Sequence, residues 1–364
     1  EKLADIADAV VRARDRHCAY FTGLLAQRYE ALLWRRPAET YRELSAEMDN
    51  IHAAWAWAVE QGDLDAMDRA FEVYWQLLDW RGAGEVIITV FNDAAEKVAN
   101  LHGVDASQER QRLCLLGEML IPVGQRRAHN LGLRTTGHDL AIKGLELIRQ
   151  VDPVDQRKQF WAQMRLGLIS IETDTLEAEH LLEGCIAICR NSGDHHGLAI
   201  AHGELAWCFF LPQILDKARW HLRESLDLIA RYGRNRWSHV SHNLQGVFQI
   251  QDGDYAAAQK VVEEMRRFSR DIDNRHAVCL ALGLQAQLAR INGNYNAARS
   301  LCEQALQMVE RVGTPDIAPY LWVKLSALSR LEGKHEEAAS FLDQSAVYVD
   351  RHRLSAVSVW AEQG

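Results

Sequence analysis

The chain has 364 residues, 48% of them apolar, with a formal net charge of −9. An acidic balance argues against a general nucleic-acid surface, because duplex phosphates call for clustered cations. Six prolines are few for this length, as suits a helical chain, and seven cysteines, an odd number at mostly apolar helical positions, read as reduced core thiols of a cytoplasmic protein. No apolar run reaches the roughly eighteen residues of a membrane span, so a membrane partner is not expected.

The chain opens on Glu1 and passes straight into a helical pattern, which reads as a piece of something longer. Residues 1–100 form a leading helical segment. Within it, Glu85-Val86-Ile87-Ile88-Thr89-Val90-Phe91 is the single β-branched run, expected as buried helix rather than strand. Earlier, Glu47 and the pair Asp49-Asn50 precede an alanine and tryptophan helix containing Trp55 and Trp57 that closes on Gly62-Asp63. A second block, Tyr74-Trp75 through Arg81-Gly82, follows in order. Over residues 15 to 85 these blocks resemble the segment that follows the ATPase and winged-helix parts of large bacterial signalling ATPases, a group that includes LuxR-type, maltose-regulator-like transcription regulators. The resemblance implies a nucleotide-driven switch upstream and a helical array that senses an inducer or holds a partner. The ATPase itself is not in this sequence, since the phosphate-cradling Gly-x-x-x-x-Gly-Lys-Ser/Thr string does not occur.

Residues 101–158 are expected as irregular helical pairs. Gly124-Gln125-Arg126-Arg127-Ala128-His129-Asn130 breaks the register that follows, with His138 where an alanine is due and Ala141 nearby, and it reads as a cationic loop, solvated or facing an acidic partner.

From 159 to 358 the chain is a tandem array of five forty-residue repeats. Ala178, Ala218, Ala258, Ala298 and Ala338 mark the step. Twelve residues before them stand Leu166, Ala206, Gly246, Ala286 and Ser326; four after, Leu182, Leu222, Val262, Cys302 and Leu342; seven after, Cys185, Ser225, Met265, Ala305 and Ser345. Gly253, Gly293 and Gly333 supply the turn between two helices of each unit, because glycine reaches positive φ without penalty. A fixed period of this size is the mark of a solenoid whose units bury their apolar faces by stacking. The stretch from Leu354 to Trp360 would cap it, and residues 359–364 form a tail.

The pattern resembles the tetratricopeptide repeat, with small residues at positions eight, twenty and twenty-seven. The fold class is therefore all-α, a right-handed superhelix of antiparallel helix pairs. Ser225, Met265 and Ser345 depart at position twenty-seven, which predicts looser or differently spaced packing there. Such arrays line a groove with positions five, nine and twelve of each first helix. In register these are Gly203, Trp207 and Phe210; Asn243, Val247 and Ile250; Gly283, Gln287 and Arg290; Val323, Ala327 and Arg330. Trp207 and Phe210 stand as groove or core. Arg290 and Arg330 clamp a carboxylate or phosphate, or pair with Glu303 or Glu332.

Catalytic signatures are missing: no Gly-x-Ser-x-Gly elbow, no His-Glu-x-x-His helix and no dinucleotide turn. His239 and His242 share a helical face and would need a facing carboxylate to act; His195, His196 and His202 cluster only in sequence. Cys185 and Cys189 invite a metal reading, but Cys185 occupies a packing column. The sequence thus predicts a non-catalytic sensor or protein-interaction domain without cofactor or metal. Its partner is a protein, a peptide or a small-molecule inducer, and its binding residues are Trp207, Phe210, Asn243, Gln287, Arg290 and Arg330. A free-standing scaffold and, further off, a histidine-based enzyme are the alternatives.

Overall fold

The computed structural model describes residues 2–351 apart from 103, 104, 131, 132, 152, 154, 172 and 313–316. Among these, all regular structure is helical, seventeen α-helices and one π-helical turn. The proposed cap at Leu354–Trp360 and the tail lie outside the described residues. The chain divides into two compact units, one of residues 1–124 and 139–162, the other of residues 125–138 and 163–364.

The first unit begins with α1 (Lys2–Glu30), a π-helical turn (Ala31–Arg35), α2 (Pro37–Ala46), α3 (Met48–Gln61), α4 (Leu64–Trp80) and α5 (Gly84–Ala99). The Gly62-Asp63 pair is a helix stop followed by a helix start. Gly62 takes φ +66° beyond α3, and the Asp63 carboxylate accepts the Ala66 N–H at 2.9 Å to cap α4. Gly82, at φ +70°, ends α4 in the same way. Trp55, Phe71 and Tyr74 gather around Phe91, their ring centroids 5.2–5.8 Å from it. The β-branched run is helical as expected, though only its Ile87 and Phe91 face is buried while Val86 stays exposed.

Three further helices, α6 (Ala106–Asn130), α7 (Arg134–Arg149) and α8 (Gln156–Ser170), run from one unit into the other. Gly117 and Gly144 let α6 and α7 cross backbone to backbone. A Cβ at Gly117 would lie 2.4 Å from the Gly144 carbonyl oxygen, and one at Gly144 would lie 2.7 Å from that of Gly117. Nearby, the Lys158 ammonium bridges Asp68 and Glu118, the latter at 2.6 Å. Burial pushes the Glu118 carboxyl up to about 7, and Lys158 holds it back from going further.

The expected loop at Gly124–Asn130 is instead the last part of α6. Pro122 withdraws one N–H but does not stop the helix, because the residues beyond it, Gln125, Arg126, Arg127 and Ala128, are good helix formers and Gln125 and Ala128 are buried. The register is lost there because one long helix replaces a helix, turn and helix.

The second unit continues through α9 (Thr175–Ser192), α10 (His195–Phe210), α11 (Leu215–Tyr232), α12 (Ser238–Gln251), α13 (Tyr255–Asp271), α14 (Arg275–Ile291), α15 (Tyr295–Val312), α16 (Ala318–Leu331) and α17 (His335–Arg351). Its units are the hairpins α10/α11, α12/α13, α14/α15 and α16/α17. The alanine column is fully buried from Ala178 to Ala298, and Ala338 is 4% exposed. Gly253, Gly293 and Gly333 have φ between +75° and +80°. Asp254 and Asn294 follow two of them as side-chain N-caps, accepting from Ala257 and Ala297.

Packing at position twenty-seven is not looser. Ser225, Met265 and Ser345 are buried, and each serine hydroxyl donates to a carbonyl twenty-six residues earlier, Ser225 to Ala199 at 2.7 Å and Ser345 to Pro319 at 3.4 Å. A hydroxyl of alanine-like size can close the crossing by a hydrogen bond to the facing helix.

Candidate functional site: the face of the first helices

The first helix of each hairpin packs against the first helix of the next, α10 on α12, α12 on α14 and α14 on α16. The second helices are joined across repeats by long side chains, such as Lys217 to Glu179 at 2.9 Å and Arg299 to Glu337 at 3.0 Å. Closer first helices and bridged second helices place the former on the inner side of the array.

On α10, Trp207 is half-buried and stacks on Phe210, centroids 5.7 Å apart. Phe210 itself has no exposed surface and meets Phe248 edge-on at 5.5 Å, so it is a core residue and leaves the groove set. The same correction applies to Gly203 and Gly283. A Cβ on Gly203 would meet the Ser241 hydroxyl at 2.6 Å, and one on Gly283 the Tyr320 ring at 2.6 Å, so these glycines seat the next first helix instead of lining an open wall. Asn243 is 7% exposed, leaving little of it to a ligand.

Toward the C-terminal end the face turns polar. Gln287 accepts the Lys324 ammonium at 2.7 Å, and that ammonium sits 4.2 Å over the Tyr320 ring. Arg290 is half-buried and Arg330 exposed. Neither is paired with a carboxylate among the described residues, and Glu332 is engaged by Arg299 and Lys334. The structure thus brings Gln287, Lys324 and Tyr320 into one patch, with Arg290 and Arg330 in register one repeat apart. Lys324 and Tyr320 were missed. The available signal was that Lys324 stands in the column that holds Leu244 and Leu284 in the two preceding repeats.

Of the remaining candidates, His242, Cys185 and Cys189 are buried, His239 is half-buried and His195 is exposed. The Nδ1 of His239 donates to the Arg236 carbonyl and that of His242 to the Ser238 carbonyl, and among the described residues no carboxylate bonds either ring. Burial pushes His239 down to about 3 and lowers His242 as well. His195 stacks on Tyr232 at 4.2 Å. Cys185 and Cys189 are buried, their thiols held well above the ordinary range by burial. Among the described residues, no group of three or more His, Cys, Asp or Glu is placed to hold a metal ion, and no helix is long and apolar enough to cross a membrane.

No protein-family model matches the chain, and no curated protein matches it. Solved structures do. A Rap protein complexed with Competence and Sporulation Factor aligns over 95% of this chain and 99% of its own, at 10% identity and a TM-score of 0.64. The Rap conjugation gene regulator of plasmid pLS20, in complex with a Phr peptide, aligns over 98% and 99% at 10% identity, with a TM-score of 0.62. The array is a tetratricopeptide-like α-solenoid. A signal transduction ATPase with numerous domains and a tetratricopeptide repeat sensor, from Pyrococcus horikoshii, aligns over 89% of this chain at 14% identity and a TM-score of 0.51. This chain spans 55% of the length of that ATPase. At such identities the likeness is one of fold.

Proposed function

We propose that this chain is the sensor or partner-binding array of a bacterial signal-transduction ATPase or transcription regulator. It works in the cytoplasm, without a catalytic step, and takes a short peptide or an inducer on the inner face of its first helices. The observation that carries this reading is the cationic end of that face. Among the described residues Arg290 and Arg330 recur one repeat apart without a carboxylate partner, on the helices that also carry the Lys324 and Gln287 pair. Unpaired guanidinium groups suit a carboxylate or phosphate through their forked donors. The peptide complexes of the Rap proteins and the sensor placement in the Pyrococcus ATPase support the same use of the fold.

A thermal-shift screen against short peptides, metabolites and nucleotides tests it, since a ligand at a hundredfold excess over its Kd adds about 2.7 kcal/mol. We expect a ligand with a carboxylate or phosphate to raise the Tm, and the rise to vanish in Arg290→Ala and shrink in Trp207→Ala. If no ligand shifts the Tm, the sensor reading is wrong, and the chain is a scaffold for folded proteins without a switch.

A further inference from the structure

The repeats serve as controls for one another along the edge where a second helix meets the following hairpin turn. Between the hairpins α10/α11 and α12/α13, Arg219 grips Asp252 with two bonds of 2.8 and 2.7 Å and lies 4.1 Å over the Phe248 ring. Between α14/α15 and α16/α17, Arg299 grips Glu332 and Glu337, each at 3.0 Å, and Ser329 at 3.1 Å. The junction in the middle breaks the series. Forty residues on from Arg219 stands Gln259, and forty on from Asp252 stands Asn292. Cation and carboxylate are both replaced, each by a carboxamide.

Where the neighbouring junctions hold a guanidinium, this one has a cavity of about 390 Å³, lined by Gln259, Gln285, Ala289, Asn292, Asn294 and Leu301. It is separate from the face of the proposed function: Gln285 and Gln287 are two residues apart on α14, hence about 200° apart around the helix.

The hydrogen bonds around the cavity fix its polarity. Gln285 accepts the Arg266 guanidinium through its oxygen at 2.6 Å, which leaves its NH2 group as a donor. Asn294 accepts the Ala297 N–H through its oxygen, which leaves a second NH2. Gln259 donates its NH2 to Glu263, which leaves its oxygen as an acceptor. Donors from Gln285 and Asn294 and an acceptor from Gln259, with the Asn292 carboxamide able to serve as either and walls of Ala289 and Leu301, complement a group that accepts on one side and donates on the other.

We propose that this cavity is a recognition slot for an uncharged planar amide, carried by a free small molecule or by a residue of a peptide. An amide has the flat shape of the guanidinium that fills the sister junctions, and it needs no counter-charge where the counter-charges have been replaced.

The test is an NMR titration of the whole chain with propionamide against its isostere butanone, which keeps the carbonyl but has no N–H to donate. Saturable shifts of the Gln259, Gln285, Asn292 and Asn294 side-chain amides are expected with the first compound and at least tenfold weaker with the second. An asparagine-containing tripeptide separates the sources, since tighter binding than the free compound points to a peptide residue and equal binding to a small molecule. Gln259→Arg with Asn292→Asp rebuilds the sister ion pair and should abolish the shifts while keeping the Tm. Ala289→Met, whose longer side chain projects into the cavity and obstructs it, serves if that double variant does not fold. Equal responses to the two isosteres, or shifts that survive in the obstructed variant, overturn the proposal.

Discussion

Gln213 stands in a column that holds glycine in the next three repeats, at Gly253, Gly293 and Gly333, and it makes the same turn. Its N–H donates to the Phe210 carbonyl, and the Ile214 N–H donates to that of Phe209, as Gly253 and Asp254 do with Ile250 and Gln249. The turn forces φ +61° on a residue with a Cβ. That conformation costs an ordinary residue about 1–2 kcal/mol, while glycine brings an entropic penalty of about 0.5–1 kcal/mol in the unfolded chain. Gln213 is exposed, so little packing is at stake. Gln213→Gly should therefore stabilise the array by about 0.5–1 kcal/mol, read from the midpoint of a urea titration. An unchanged or lower midpoint would mean that the Gln213 side-chain bond to the Phe210 carbonyl, 3.2 Å long, outweighs the strain.

At the scale of the helices, the crossing of α6 and α7 gives a sharper test, because one type of substitution should act with opposite signs at two places. Gly→Ala inside a helix ordinarily stabilises by up to about 1 kcal/mol. At Gly23 in α1 nothing lies within 4 Å of the added methyl, so Gly23→Ala should show that gain. At Gly117 the methyl would press on the Gly144 carbonyl and, at 2.8 Å, on Ile148, so Gly117→Ala should lose on the order of 1–3 kcal/mol. Parallel denaturant melts decide it, and a gain at Gly117 would show that the helices slide apart freely. This crossing was not legible in the sequence. The forty-residue columns were, because a small residue recurring at one period needs no knowledge of its partner. Gly117 and Gly144 occur once, twenty-seven residues apart, and only the crossing shows that they touch. Groove candidates could be named by register alone. Register gives the face of a helix but not the reach of the next one, which is why Phe210, Gly203 and Gly283 proved to be covered and Lys324 and Tyr320 were passed over.

Across the molecule, the second unit keeps several titratable groups uncharged in its interior, and these set how it answers to pH. His202 and His221 face each other through their Nδ1 atoms at 3.0 Å between α10 and α11, where one must donate and the other accept. Burial holds both down to about 4; His221 and Arg190 lower His202 further, and Lys217 and Arg190 lower His221 while Glu179 acts against them. His239, at about 3, and His242 are lowered for the same first cause. A histidine whose folded pKa lies below its unfolded value near 6.5 contributes stability that is complete above 6.5 and disappears as the pH falls toward the folded value, at about 1.4 kcal/mol per unit. Glu204 acts in the other direction. It is 5% exposed in the column of Leu244 and Leu284, and burial pushes its carboxyl up to about 8. Its folded pKa exceeds the unfolded one, so its contribution is complete below about 4.5 and declines as the pH rises through 8. Between pH 7 and 5.5 the imidazoles therefore weaken the unit while Glu204 partly offsets them. Glu204→Leu, the residue of the next two repeats, should raise stability most at pH 8, by an amount that narrows steadily toward pH 5, and should make the acid loss steeper than in the parent. Urea melts of both chains at pH 8, 7, 6 and 5 measure the gap directly. A gap that does not change with pH would place the Glu204 carboxyl in water, ionised in the folded chain as in the unfolded one.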